Sequence, residues 1–183
     1  ADSFNRNAIA ERLLRFWQEY LRLQPSGARQ LLSVRDLLAW VGFVNATSPN
    51  LGALPAYAHG AYLTLLDGIG LGVGLPAAAA ANLRGSLSTF LAAQLPPELA
   101  AHAALAEGQL HTAANMAAKG FMPGAPPDGQ WGIPPFFVPL ARLDKAAGDG
   151  AGGFALRAPT TARNAFRLLR AMQLRKAVLL EGS

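Results

Sequence analysis

Apolar residues recur at helical spacing over most of the chain. Over residues 5–23, Ile9, Leu13, Phe16, Trp17 and Tyr20 fall three and four apart, the pattern of an amphipathic helix with one buried stripe. Pro25, Ser26 and Gly27 end it. In LSVRDLLAWVGFVN, residues 32–45, Ser33 is placed to cap a second helix starting at Val34, with Asp36 as the acidic half of a capping box. Leu37, Leu38, Val41 and Val44 are the expected buried face, and Arg35 sits in the first turn. Asn, Ser, Pro and Gly between residues 45 and 55 read as a loop. A third helix is expected over 56–66, ending near the glycines of 68–74. Pro76 suits the first turn of a fourth helix reaching about Gln94, and Pro96 and Pro97 punctuate before a fifth over 98–119. Helices joined by short turns imply a small bundle.

The pattern changes from residue 120 to 153, where Gly and Pro dominate around an apolar island, WGIPPFF, at 131–137. This segment is too rich in proline for regular structure and too aromatic for a free linker. It is expected to lie pinned across a surface, with Trp131, Phe136 and Phe137 as anchors rather than ligand contacts. Residues 154–156 suit a short extended piece, and Thr160 or Thr161 a helix cap, the helix running to about Leu174. KAVLLEGS, residues 176–183, reads as a buried strand entering a glycine turn.

Composition sharpens this picture in three places. The chain is 51% hydrophobic, enough for a buried core, but runs such as the alanines of 77–81 bury little area, so the core should be helical and thinly padded. A net charge of +5 and a pI of 10.2 suit an acidic partner such as RNA or a ribosomal particle, but by themselves are read first as solvated arginine faces. There is no cysteine, which excludes disulfides and thiolate metal sites, and His59, His102 and His111 lack metal-ligand spacing, so no metal site is expected. No signal peptide opens the chain, and the missing initiator Met suits a fragment or a processed product. The most apolar stretch, residues 53–75, is interrupted by His59, Asp67 and glycines and falls short of the roughly 20 apolar residues of a spanning helix. A soluble chain with no membrane partner is expected.

Two glycine-containing stretches invite a phosphate-binding reading. GIGLGVG, residues 68–74, fails on context: no strand pattern precedes it, Pro76 follows closely and no Lys–Ser/Thr pair closes it, so it reads as an interhelical turn. The ending, residues 177–183, is an apolar run followed by Gly182 and Ser183, the order that opens a Walker A loop of pattern GxxxxGK[ST]. The amide nest, the lysine that reaches the β and γ phosphates and the hydroxyl that ligates magnesium are not among these residues. Arg157, Arg163, Arg167, Arg170, Arg175 and Lys176 crowd the same end, with 163, 167 and 170 on one helical face. That stripe is read as a solvated face opposite Phe166 and Leu169, with an acidic neighbour or RNA as the other reading.

FALRAPTTARNAFRLLRAMQLRKAVLLEGS, residues 154–183, resembles the segment of the midasin family of dynein-related AAA+ ATPases that leads into a Walker A loop. LSVRDLLAW at 32–40, AHGAYLTLLDGIG at 58–70 and WGIPPFF at 131–137 resemble the same family, in the order of one module's lid followed by the next module. The alanine-rich stretch of 76–118 and the glycines of 148–153 add nothing to the resemblance.

The resemblance implies a mainly α fold: a helical AAA+ lid bundle over 1–120, a Pro/Gly-rich connector over 121–153, and over 154–183 the opening helix and strand of an α/β nucleotide-binding module. In such proteins a Ser-x-Arg at the start of a lid helix carries the sensor-2 arginine, which reaches the γ-phosphate; Arg35 is the matching position. Gly182 and Ser183 match the start of the nucleotide-binding loop. The implied activity of the intact parent is ATP hydrolysis with Mg2+, used to remodel pre-60S ribosomal particles together with assembly factors in the nucleus, both nucleolus and nucleoplasm. Neighbouring AAA+ modules of the same chain would be further partners. The other reading is a noncatalytic helical module that docks on a ribosomal or protein partner.

Overall fold

The computed structural model describes residues 2–24, 33–70, 75–99, 129–139, 159–174, 176–178 and 180. The chain divides into two compact units, residues 1–107 and 108–183.

The described part of the first unit is helical: α1 (Asp2–Leu23), α2 (Val34–Leu51), α3 (Ala53–Ala61) continued by a π-turn (Tyr62–Leu66), and α4 (Ala77–Ala93), followed by a short 3-10 turn (Pro97–Leu99). The mainly α expectation holds. α1 buries Ile9, Leu13, Phe16 and Tyr20, as its spacing requires, and leaves Trp17 half-buried. α2 differs from expectation in two ways. Its buried residues are Trp40, Phe43, Val44 and Thr47, while Leu37 and Val41 are half-buried and Leu38 is 63% exposed. Both sets have helical spacing, and the stripe carrying the two aromatic rings removes more apolar area from water. α2 also runs through the expected loop to Leu51, with Pro49 inside it. The polar residues there serve the helix instead of turning the chain: the Thr47 hydroxyl donates to the Phe43 carbonyl at 2.9 Å and the Ser48 hydroxyl to that of Val44. The break comes at Gly52, whose φ of +83° is a conformation that side-chain-bearing residues rarely adopt.

The core forms where the aromatic residues of all four helices meet. Phe16 stands edge-on to Trp40, with ring centroids 5.4 Å apart at 87°; Trp40 stacks on Tyr57 at 5.2 Å; and Phe90 of α4 closes on Phe16 at 6.1 Å. The Trp40 indole N–H donates to the Tyr57 carbonyl at 2.9 Å, so its one polar group is satisfied inside the core. α3 fits against α2 because Gly60 has no side chain. A Cβ there would lie 2.6 Å from Trp40 Nε1, closer still to Cδ1, and 3.2 Å from Phe43. Gly60→Ala should therefore destabilise the helical unit by about 1–3 kcal/mol through overpacking, although alanine is the better helix former by about 1 kcal/mol. Denaturant unfolding followed by tryptophan fluorescence reads the sign, and a more stable variant would refute this packing.

The π-turn carries α3 toward α4. Asp67 N–H donates to the Tyr62 carbonyl at 3.0 Å, the Thr64 hydroxyl to that of Gly60 at 2.8 Å, and the Tyr62 and Ser88 hydroxyls bond at 2.8 Å. α4 buries only Leu87 and Leu91, and most of its alanine-rich first turns are exposed, as a thinly padded helix should be. Beyond the 3-10 turn, the helix expected over 98–119 lies outside the described residues from 100 onward.

In the second unit the segment around WGIPPFF is regular, contrary to expectation. It forms an antiparallel hairpin, β1 (Gln130–Ile133) and β2 (Phe136–Pro139), with Ile133 opposite Phe136 and Trp131 opposite Val138. Pro134 and Pro135 occupy the two turn positions, where no ladder donor is needed, so proline does not break the strands. Gly132 is required by the close approach of the strands, since a Cβ there would collide with the Phe136 carbonyl oxygen and lie 2.8 Å from Phe137 Cα. A final helix, α5 (Pro159–Ala171), packs on the hairpin. It starts at Pro159, whose missing N–H costs nothing in a first turn, rather than after a threonine cap. The terminal strand is not formed among the described residues: 176–178 and 180 carry no strand pairing, and Val178 and Leu180 are exposed. The extended piece expected over 154–156 lies outside the described residues.

Candidate functional site

The best-defined candidate position is the first turn of α2. The Ser33 N–H donates to Asp36 Oδ2 at 2.9 Å and the Ser33 hydroxyl reaches the same oxygen at 3.1 Å, so the capping-box carboxylate is engaged by the helix start. Its charge also reaches Tyr20: burial, and after it the Asp36 carboxylate, raises the Tyr20 hydroxyl above the ordinary tyrosine range. Arg35, beside this cap, is exposed and makes no hydrogen bond or ion pair among the described residues. Val34 and Leu38 next to it are 68% and 63% exposed. The outer face of α2 thus presents Val34, Leu38 and Arg35, on the side away from Trp40 and Phe43.

Deeper in the same unit lies a polar knot. The Arg12 guanidinium donates to the Gln94 carbonyl and the Tyr57 hydroxyl donates to the Arg12 carbonyl at 3.4 Å, tying α1 to α3 and to the end of α4. Burial raises the Tyr57 hydroxyl far above its ordinary range, so it is a neutral donor and no base. His59 is fully buried in α3; His102 and His111 lie outside the described residues. No cluster of His, Asp and Glu able to hold a metal is found among the described residues, and no helix there is long and apolar enough to cross a membrane. Of GIGLGVG, residues 68–70 form a turn after the π-helix, while 71–74 lie outside the described residues.

The basic stripe of α5 is not the solvated face expected of it. Arg163 is exposed and Arg167 half-buried, but Arg170 is 1% exposed, its guanidinium 5.6 Å from the Phe166 ring centre. Phe166 in turn packs on Phe136 of the hairpin, centroids 5.4 Å apart. Once the hairpin covers this side of the helix, Arg170 becomes a packing residue, stacked on an aromatic face that suits a planar guanidinium. Gly182, Ser183, Arg157 and Arg175 lie outside the described residues. Gln173 was not singled out by its sequence context. Its side-chain N–H2 donates to the Phe137 carbonyl at 3.0 Å and to the Leu169 carbonyl at 3.1 Å, and only the presence of the hairpin makes that position matter.

Comparison with known proteins adds a relationship. Over 189 aligned residues the chain is 32% identical to midasin from Dictyostelium discoideum, an alignment that takes in 93% of this chain. The chain belongs to the midasin family. It spans about 3% of the length of that midasin. No family model matches the chain, and no solved structure does. Coverage of 93% means that the midasin relationship extends well beyond residues 154–183, the part whose wording is most specific, and includes most of the helical unit that holds Arg35.

Proposed function

We propose that this chain works as part of a midasin-like AAA+ ATPase that hydrolyses ATP with Mg2+ to remodel pre-60S ribosomal particles in the nucleus. The helical unit would act as a lid, and the hairpin and α5 would lead into the next module's nucleotide-binding loop at Gly182 and Ser183. The observation that carries this reading is 32% identity to midasin over 93% of the chain, with Arg35, the sensor-2 match, exposed at the start of α2. A guanidinium held out from the bundle can reach a γ-phosphate on an adjoining subdomain, stabilise charge on the transferring phosphoryl group, and link phosphate loss to lid movement. Val34 and Leu38, exposed beside it, also fit the second reading, a noncatalytic module docking on a protein partner.

Arg35→Ala in the intact protein separates the two. The side chain is exposed, so stability should change by no more than about 0.5 kcal/mol. ATP turnover should fall on the order of 10²-fold, the scale for removing one donor aimed at developing negative charge. If the module that owns this lid is catalytically silent, the loss appears in ATP affinity instead, and both quantities are measured. A well-folded variant with unchanged turnover and affinity that has lost a protein partner returns the docking module.

A further inference from the structure

The four helices of the first unit do not hold one another equally. α3 is buried on every side from Pro55 to Ala61, and Trp40 of α2 lies between Phe16 of α1 and Tyr57 of α3, all three rings fully buried. α4 buries two side chains in its 17 residues, Leu87 and Leu91, with Leu95 just beyond its end and Phe90 resting on Phe16. Asn82, Gly85, Ser86, Thr89 and Ala93 are exposed, and Gly85, with open space about its Cα, is a poorer helix former than alanine. The polar ties of α4 are single hydrogen bonds. Arg84 donates to the Ile69 carbonyl at 3.1 Å, the Ser88 and Tyr62 hydroxyls bond at 2.8 Å, and the Arg12 guanidinium of α1 donates to the Gln94 carbonyl at the helix end. Three buried polar atoms of α4 and its cap, Arg84 Nε and both amide atoms of Gln94, have no protein hydrogen-bond partner of good geometry, the Gln94 amide lying against the Tyr57 hydroxyl. Holding them buried costs free energy that undocking the helix returns.

We propose that α4 is a releasable helix, which lifts from α1 and the π-turn as one piece while α1, α2 and α3 stay folded, with the Arg12–Gln94 bond as its latch. The Trp40–Tyr57 stack, the Phe16–Trp40 contact and the seat of Gly60 against Trp40 contain no residue of α4, so they survive its departure. What its departure uncovers is the side of Phe16 that faces Phe90, together with the Tyr62 hydroxyl. The helical unit then has two forms, one with this part of α1 and the π-turn covered and one with it open. Arg12 suits the part of latch because a cationic donor on the last carbonyls of a helix complements the helix dipole and makes a stronger bond than a neutral donor. A helix of 17 residues is marginal on its own, so in the released form the amides of α4 meet solvent. The device follows from packing and holds whether the chain serves an ATPase or a docking module.

Amide hydrogen exchange of the intact protein, followed by mass spectrometry across a series of urea concentrations below the unfolding transition, tests the proposal. In the wild type, residues 81–93 should be protected about tenfold or more weakly than 38–48 and 57–61, with a shallower dependence on urea, because releasing one helix exposes less surface than unfolding the unit. Arg12→Met keeps an unbranched apolar stem and removes the donor. It should speed exchange over 81–93 about tenfold, the scale of one hydrogen bond, and leave 38–48 and 57–61 as they were. Arg12→Lys, which keeps a cationic donor, should stay closer to wild type. Should Arg12→Met fail to fold, Ser88→Ala removes the bond to Tyr62 from a half-buried position and is expected to speed exchange over the same residues alone. Loss of the fold in both overturns the proposal. Equal protection and equal urea dependence in all four helices would make them one cooperative unit with no release of α4, and would overturn it too. So would unchanged exchange over 81–93 in folded Arg12→Met, or a rise shared equally by α2 and α3.

Discussion

Trp40→Ala is expected to destabilise the helical unit by about 3–5 kcal/mol, the range for deleting a large buried aromatic side chain. Trp40 is fully buried and is the ring on which the others converge: Phe16 of α1 meets its edge and Tyr57 of α3 its face. Truncation would open a cavity with aromatic walls and leave the Tyr57 carbonyl without the indole N–H, two costs that add because neighbouring rings can only partly collapse into the space. Trp40→Phe restores most of the bulk but not the donor and should cost distinctly less. Urea unfolding followed by far-UV circular dichroism gives both values. If the two variants prove equally mild, the core does not hinge on this ring.

The aromatic centre was only half legible in the sequence. Positions 40, 43, 44 and 47 have the i, i+3, i+4, i+7 spacing of a buried stripe, but so, nearly, do 37, 38, 41 and 44. Periodicity cannot separate two such stripes on one apolar helix. Burying Trp40 and Phe43 requires Gly60 on the facing helix, a pairing between residues far apart in the chain that no local pattern contains. In α1 only one stripe was available, and there the expected residues are the buried ones.

Turn signals failed for a related reason. Asn45, Thr47, Ser48, Pro49 and Asn50 favour turns in isolation, yet α2 continues through them because hydroxyls can bond back to carbonyls of the same helix when the packed face extends that far. WGIPPFF erred the other way. Two prolines argue against a strand only when they lie within it, and here they are the turn. The exposure of Arg35 was readable, since it follows from one residue's angle on a helix whose start was marked by Ser33 and Asp36. The burial of Arg170 was not, because it depends on a hairpin that the sequence did not announce.

That dependence makes the hairpin and α5 a sharp place to test the second unit. Phe166 is 1% exposed, touches Phe136 of β2 and carries the guanidinium of Arg170 on its ring. A helix of 13 residues is marginal alone, and a two-stranded hairpin is marginal alone, so each relies on the apolar contact with the other. Phe166→Ala removes the larger part of that contact, a loss of about 3–5 kcal/mol by the usual range, and leaves a buried guanidinium without its stacking surface. The expected result is loss of amide protection across residues 136–138 and 160–171 together, not in the helix alone, because among the described residues each of these two elements is marginal without the other. Phe166→Leu, which keeps apolar bulk over Phe136, should retain most of that protection. Separate behaviour, with the hairpin still protected after the helix has opened in Phe166→Ala, would mean that the Phe136 contact does not hold the two elements together.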